Sequence, residues 1–131
     1  MKRIHIFKTG KHTSAGGTSI EFSEDVLRKA ASAYDPSIHE APIVVGHPAE
    51  NGPAYGWVGG LEYEEGNVFA KPRDIEEQFS ELVKDGRFKK VSASFYSPDA
   101  PTNPVPGSYY LRHVGFLGAT PPAIKGLKPI E

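Results

Sequence analysis

The chain has 131 residues, of which 38% are hydrophobic and 24% charged, and its formal net charge is −1. That length fits one domain around one core, and the composition is too apolar for a disordered chain. The near-neutral balance excludes the clustered excess of Lys and Arg that nucleic-acid binding needs, and the lack of cysteine excludes a disulfide-stapled scaffold and a thiolate zinc site. The densest basic group, Lys84, Arg87, Lys89 and Lys90, is flanked by Glu76, Glu77, Glu81 and Asp85 and reads as a solvated helix end. No apolar run reaches the length of a signal peptide core or of a membrane span. The expected setting is therefore the cytoplasm, with neither nucleic acid nor membrane as partner.

In chain order, residues 3–8 alternate and are rich in Ile and Phe, which predicts a first strand. Residues 10–18, with Gly16-Gly17 inside, read as a turn or loop. Ser23 is a good N-cap, Glu24 and Asp25 suit a first turn, and Val26, Leu27, Ala30, Ala31 and Tyr34 recur at helical spacing until Asp35-Pro36. Residues 42–46 form a short apolar run that suits a buried strand ending at a glycine. Residues 55–72 predict a hairpin turning at Glu64-Glu65-Gly66-Asn67. A second helix is expected to be capped by Asp74, with Glu77 completing a capping box. Its apolar stripe is Ile75, Phe79, Leu82 and Val83, and Gly86 stands at C′. Residues 91–96 alternate so that Ser92, Ser94 and Tyr96 share one face. A proline-rich excursion over 98–106 leads to a last strand over 109–117, stopped by Pro121-Pro122. The sum is a single α+β domain over 1–131, with about six strands and two helices.

Few arrangements here could carry chemistry. The five histidines, His5, His12, His39, His47 and His113, show no paired metal-ligand spacing, so neither metal nor cofactor is expected. Gly56-Trp57-Val58-Gly59-Gly60 is no phosphate loop, and no Gly-x-Ser-x-Gly elbow occurs. What remains is a hydroxyl with an imidazole: a serine becomes a nucleophile only when a base within hydrogen-bond reach takes its proton. His47 follows an apolar strand, Ser92 lies early on a later one, and His113 lies inside the next. From periodicity alone, Ser92 and Ser94 are equally well ordinary strand serines, and His113 their cross-strand polar partner.

Several segments, taken together in order and spacing, carry a resemblance. They are Gly46-His47-Pro48, residues 53–58, residues 66–69, residues 85–96, Leu111-Arg112-His113-Val114 and residues 122–127. Over about residues 3–127 the chain resembles the prohead proteases of tailed phages, and among them the Mu-like protease I group. The resemblance implies a fold like that of the herpesvirus assembly proteases, a mixed or antiparallel β-barrel-like core with about two external helices. It implies a serine endopeptidase, phage- or prophage-encoded, that cleaves scaffold and capsid proteins during prohead maturation. That activity belongs in the host cytoplasm and the prohead interior, and a homo-oligomer is compatible with it.

Carried over by position, the nucleophile is Ser92 in Ser92-Ala93-Ser94-Phe95, with Ser94 the alternative, and the base is His47. The third member is His113, a second histidine in place of an acid. The turn at Gly118, Ala119 and Thr120 is the candidate oxyanion hole. Members of the group carry a long charged helical scaffold after the protease domain, so residues 1–131 are expected to be the protease domain alone or a processed product. The competing expectation is a catalytically inactive scaffold or capsid-interaction module with the same fold. A small-ligand-binding barrel is a more distant third.

Overall fold

The computed structural model describes residues 1–13, 17–48, 51–119, 124, 126–128 and 130. Among them lie eight strands and two helices: β1 (Ile4–Lys8), β2 (Gly10–Thr13), β3 (Ser19–Phe22), α1 (Glu24–Ala33), β4 (Pro42–Val45), β5 (Gly56–Glu64), β6 (Asn67–Arg73), α2 (Glu77–Lys84), β7 (Lys90–Tyr96) and β8 (Tyr110–Leu117). Six strands make one sheet in the order β1-β6-β5-β4-β8-β7. β4 and β8 run parallel, and the other neighbours are antiparallel. The two ends of the sheet curl together, and the rings of Phe7 on β1 and Phe95 on β7 meet edge to face at 5.1 Å. The result is a nearly closed, mixed β-barrel-like sheet with two helices, an α+β fold as expected. Its interior is filled by Ile6, Ile43, Val58, Val68, Tyr110, Leu111, Val114 and Phe116, all fully buried.

Local chemistry accounts for most boundaries. The Ser23 hydroxyl accepts a hydrogen bond from the Val26 amide at 3.2 Å and starts α1, which buries Leu27 and Ala30. Two tyrosines then fix the passage from α1 to β4. Tyr34 donates its hydroxyl to the Val58 carbonyl at 2.6 Å and accepts the Ala41 amide at 2.9 Å. The Tyr110 hydroxyl accepts the Asp35 amide at 3.0 Å and lies 2.8 Å from the His39 carbonyl. The β5–β6 hairpin closes on Glu65 and Gly66, with φ of 47° and 83°, the paired left-handed geometry of a two-residue turn that follows the twist of the strands. At the end of α2 the Gly86 amide donates to Val83 and the Arg87 amide to Leu82, a Schellman closure around the Gly86 φ of 78°.

Three expectations need correction. Part of the segment read as a loop is strand: β2 and β3 pair as a hairpin of their own. β2 is too polar to betray a strand, and the hairpin is held by a cluster in which Phe22 of β3 meets Phe7 at 4.8 Å and Tyr109 at 5.0 Å. Secondly, α2 is capped by Glu76, whose carboxylate accepts the Gln78 and Phe79 amides at 2.8 and 2.9 Å. Asp74, with φ of 52°, is spent on the turn before it. The Glu76 amide is tied to the Tyr55 carbonyl at 2.8 Å, which keeps residue 76 extended and stops the helix from starting earlier. Thirdly, Phe79 and Val83 are buried as expected, whereas Leu82 is 44% exposed. The helix is short, and its buried stripe is narrower than its apolar residues suggest.

Candidate active site

The site is assembled where β4 ends. The chain leaves β4 at Gly46, whose φ of 67° turns it, and the Gly46 amide donates to the Phe116 carbonyl of β8 at 3.0 Å. The Gly46 carbonyl thereby lies across β8 on the spot where a side chain at position 115 would stand, far inside contact distance of any Cβ there. Gly115 is the residue that lets the turn cross. The crossing delivers His47 to the side of β8 that carries His113, and the two rings meet. Nδ1 of His47 lies 2.7 Å from Nε2 of His113, with ring centroids 4.9 Å apart.

Ladder register brings the serines to the same place. Val91 is buried, and Ala93 and Phe95 pack on the core, so Ser92 and Ser94 turn to the other face. Between Ser94 and Phe95 the register shifts by one residue on β8, where Arg112 is left without a ladder partner. Ser94 pairs with His113, and Ser92 pairs with Gly115, over which Gly46 crosses. Residues facing across a ladder have Cβ atoms about 5 Å apart, and diagonal neighbours lie roughly 7–8 Å apart, so His113 is a neighbour of both serines. Ser92 and Ser94 also line a cavity of about 290 Å³ with Phe7, Phe22, Phe95 and Tyr109. Among the described residues, no hydrogen bond joins either serine to a histidine.

Burial fixes the charge of the pair. It pushes the His113 imidazole down to about 4, helped by the neighbouring His47 and the Arg112 charge. Partial desolvation also lowers His47, itself an exposed residue, below the ordinary histidine value of 6.5. Both rings are therefore neutral at pH 7, and a single proton lies between them. When His47 Nδ1 carries that proton and donates it, His47 Nε2 is left bare and basic, while His113 accepts through its own Nε2. The opposite tautomer leaves His47 Nε2 protonated and unable to act as a base.

The remaining candidates lie elsewhere. Gly118 is three residues past Gly115, roughly 10 Å along the strand, and packs near the Arg87 carbonyl and the Phe88 ring. Gly118 and the exposed Ala119 are thus not brought to Ser92, and Thr120 lies outside the described residues. His5 is buried on β1, His12 bonds the Lys8 carbonyl at 2.7 Å, and His39 lies 3.3 Å from the Arg112 carbonyl. Gly46 and Gly115 were not singled out from sequence as residues that position the site. Their signal, a glycine at a strand end and another inside a buried strand, is common to many sites of close backbone approach.

Two predictions arise from this geometry. Gly115→Ala forces Gly46, and with it His47, off the strand. It should cost about 1–3 kcal/mol in thermal or urea unfolding. It should also break the His47–His113 bond, read as the loss of the shared ring proton in NMR spectra. A Gly115→Ala protein that keeps that proton would refute the crossing. The second concerns pH. Both rings titrate lower in the folded chain than in the unfolded one, so the unfolded chain takes up protons first as pH falls. The contribution to stability should be whole above about pH 6.5 and lost progressively towards pH 4. His113→Gln should flatten that dependence in urea melts made across this range.

Searches of protein-family models, curated proteins and solved structures find no match to this chain.

Proposed function

We propose that this chain is a serine endopeptidase of the prohead-protease kind, acting on scaffold and capsid proteins inside an assembling phage shell in the host cytoplasm. One observation carries the reading: the 2.7 Å contact of His47 Nδ1 with His113 Nε2, next to a strand that presents Ser92. Two neutral imidazoles bonded in this way orient one free Nε2 as a base. Their resting place beside a small hydroxyl on a neighbouring strand is the arrangement acyl transfer needs.

In this mechanism His47 Nε2 takes the Ser92 Oγ proton as Oγ attacks the scissile carbonyl carbon. The tetrahedral intermediate collapses when His47 returns the proton to the leaving amine. Water, deprotonated by the same nitrogen, then attacks the acyl-enzyme and releases Ser92. His113 holds the ring and accepts from its Nδ1–H throughout. Lacking a carboxylate's charge, it stabilises the imidazolium less than an aspartate would, and slow turnover follows. The aromatic-walled cavity beside Ser92 suits an apolar side chain of the acyl segment.

The second reading, a non-catalytic capsid-interaction module, draws on the lack of a serine–histidine hydrogen bond among the described residues. A bond that tightens only around substrate would leave the same trace. A fluorophosphonate probe followed by peptide mass spectrometry separates the two. Modification of Ser92 that disappears in His47→Ala supports the peptidase. Absence of modification, both for the isolated chain and for the chain mixed with capsid and scaffold proteins, leaves the module.

A further inference from the structure

Beside the histidine pair lies a second cleft of about 240 Å³, lined by His39, Pro48, Asn51, Tyr96, Arg112 and His113 among others. Arg112 brings a fixed positive charge, and no Asp or Glu is among the described lining residues. The other arginines of the barrel wall and α1 are engaged: Arg3 with Glu64, Arg28 with Asp25, Arg73 with Glu40. Arg112 has no carboxylate partner among the described residues and is exposed. Its guanidinium carbon sits 5.4 Å over the Tyr96 ring. The edge of that ring arrangement is held by His39, 5.8 Å from Tyr96 and itself bonded to the Arg112 carbonyl at 3.3 Å.

A cation–π contact uses the charge of a guanidinium and leaves its N–H groups able to donate. Over the Tyr96 ring, those groups form a fork that fits both oxygens of a carboxylate. The cleft is continuous with the reacting groups through His113, so a group bound there belongs to a segment that also passes Ser92. We propose that Arg112 is a specificity-determining residue, and that its cleft receives the side-chain carboxylate of a Glu or Asp near the scissile bond of the substrate. This rests on the peptidase reading above, and it adds a class of substrate that the histidine pair alone does not select.

The test uses pairs of otherwise identical peptides carrying Glu or Gln at one position at a time around the cleavage point. At one position the unsubstituted protein should favour Glu about 10–100-fold in kcat/KM, mostly through KM, as expected for a contact present before the transition state. In Arg112→Gln that ratio should fall to about one, and Arg112→Lys should keep part of it. A Glu preference that survives Arg112→Gln, or none at any position, overturns the proposal. Should the peptides not be cleaved and Ser92 not react with the fluorophosphonate probe, the peptidase reading fails, and the cleft is judged separately by NMR. Titration with N-acetylglutamate should then shift Arg112 Nε and the His39 and His113 rings saturably, with no such shift from N-acetylglutamine or in Arg112→Gln. Equal shifts from inorganic phosphate would make it a general anion site and overturn the carboxylate assignment.

Discussion

Ser92→Ala should abolish fluorophosphonate modification and lower peptide hydrolysis by roughly 10⁴-fold or more, with little change in the melting temperature. The choice of Ser92 over Ser94 follows from what each faces. Ser94 stands across from His113, whose Nε2 is already occupied by His47 Nδ1, so no free basic nitrogen of the pair is directed to it. Ser92 stands across from Gly115, where the missing side chain admits the turn that carries His47, the ring with a free Nε2. Both hydroxyls are half-buried on the outer face of one strand, and among the described residues neither makes a side-chain hydrogen bond that its loss would break. The two alanine variants should therefore fold alike and differ in activity. Hydrolysis that persists in Ser92→Ala and vanishes in Ser94→Ala would reverse the assignment. Because base and nucleophile act as a unit, His47→Ala should match Ser92→Ala, and the double variant should be hardly worse. His113→Ala, which removes only the group orienting the base, should cost about 10–100-fold.

The sequence carried the fold wherever a residue's own chemistry decides its local geometry. Ser23 caps because a hydroxyl before an apolar-periodic run has an orphan amide to serve, and Gly86 ends α2 because the closure there needs a positive φ. The hairpin at Glu65 and Gly66 was visible for the same reason. Failures arose where tertiary contacts decide. Asp74 is the better cap on local grounds, and the Tyr55 carbonyl just before β5 tips the choice to Glu76. The β2–β3 hairpin is stabilised by rings from β1 and from the residue before β8, which the glycine-rich window 10–18 cannot announce. For the site, the residue types pointed to His47, His113 and the two serines, but not to their relative placement. That placement depends on β4 lying parallel to β8, on the serine strand pairing at one register, and on Gly115 being bare. Each is a long-range property that no local pattern encodes. The turn at Gly118 looked suitable because it follows the right strand, and it lies too far along that strand to reach Ser92.

Phe79→Ala should cost about 3–5 kcal/mol of unfolding free energy, against a total of roughly 5–15 kcal/mol for a domain of this size. Phe79 is 2% exposed and is the point at which α2 grips the barrel. Its ring stacks on Tyr55 at 5.1 Å, tilts against Phe88 at 5.5 Å and meets Phe116 edge to face at 5.1 Å. Removing it leaves a void walled by three aromatic rings, which are large and stiff and cannot close in fully. The melting temperature should drop by roughly 10–20 °C. Leu82, one turn along the same helix, is exposed, so Leu82→Ala should change stability by under about 0.5 kcal/mol. Both replacements raise helix propensity, so the difference between the two variants reports loss of burial. Phe79 also supports the site from beneath: Phe116, which it braces, lends its carbonyl to Gly46 at the crossing that places His47. At temperatures where Phe79→Ala is still folded, probe modification of Ser92 should therefore be slower than in the unsubstituted chain, while Leu82→Ala matches it. Equal rates in all three proteins would mean that the crossing holds without its support. Equal melting temperatures would mean that α2 does not seat on the barrel through Phe79.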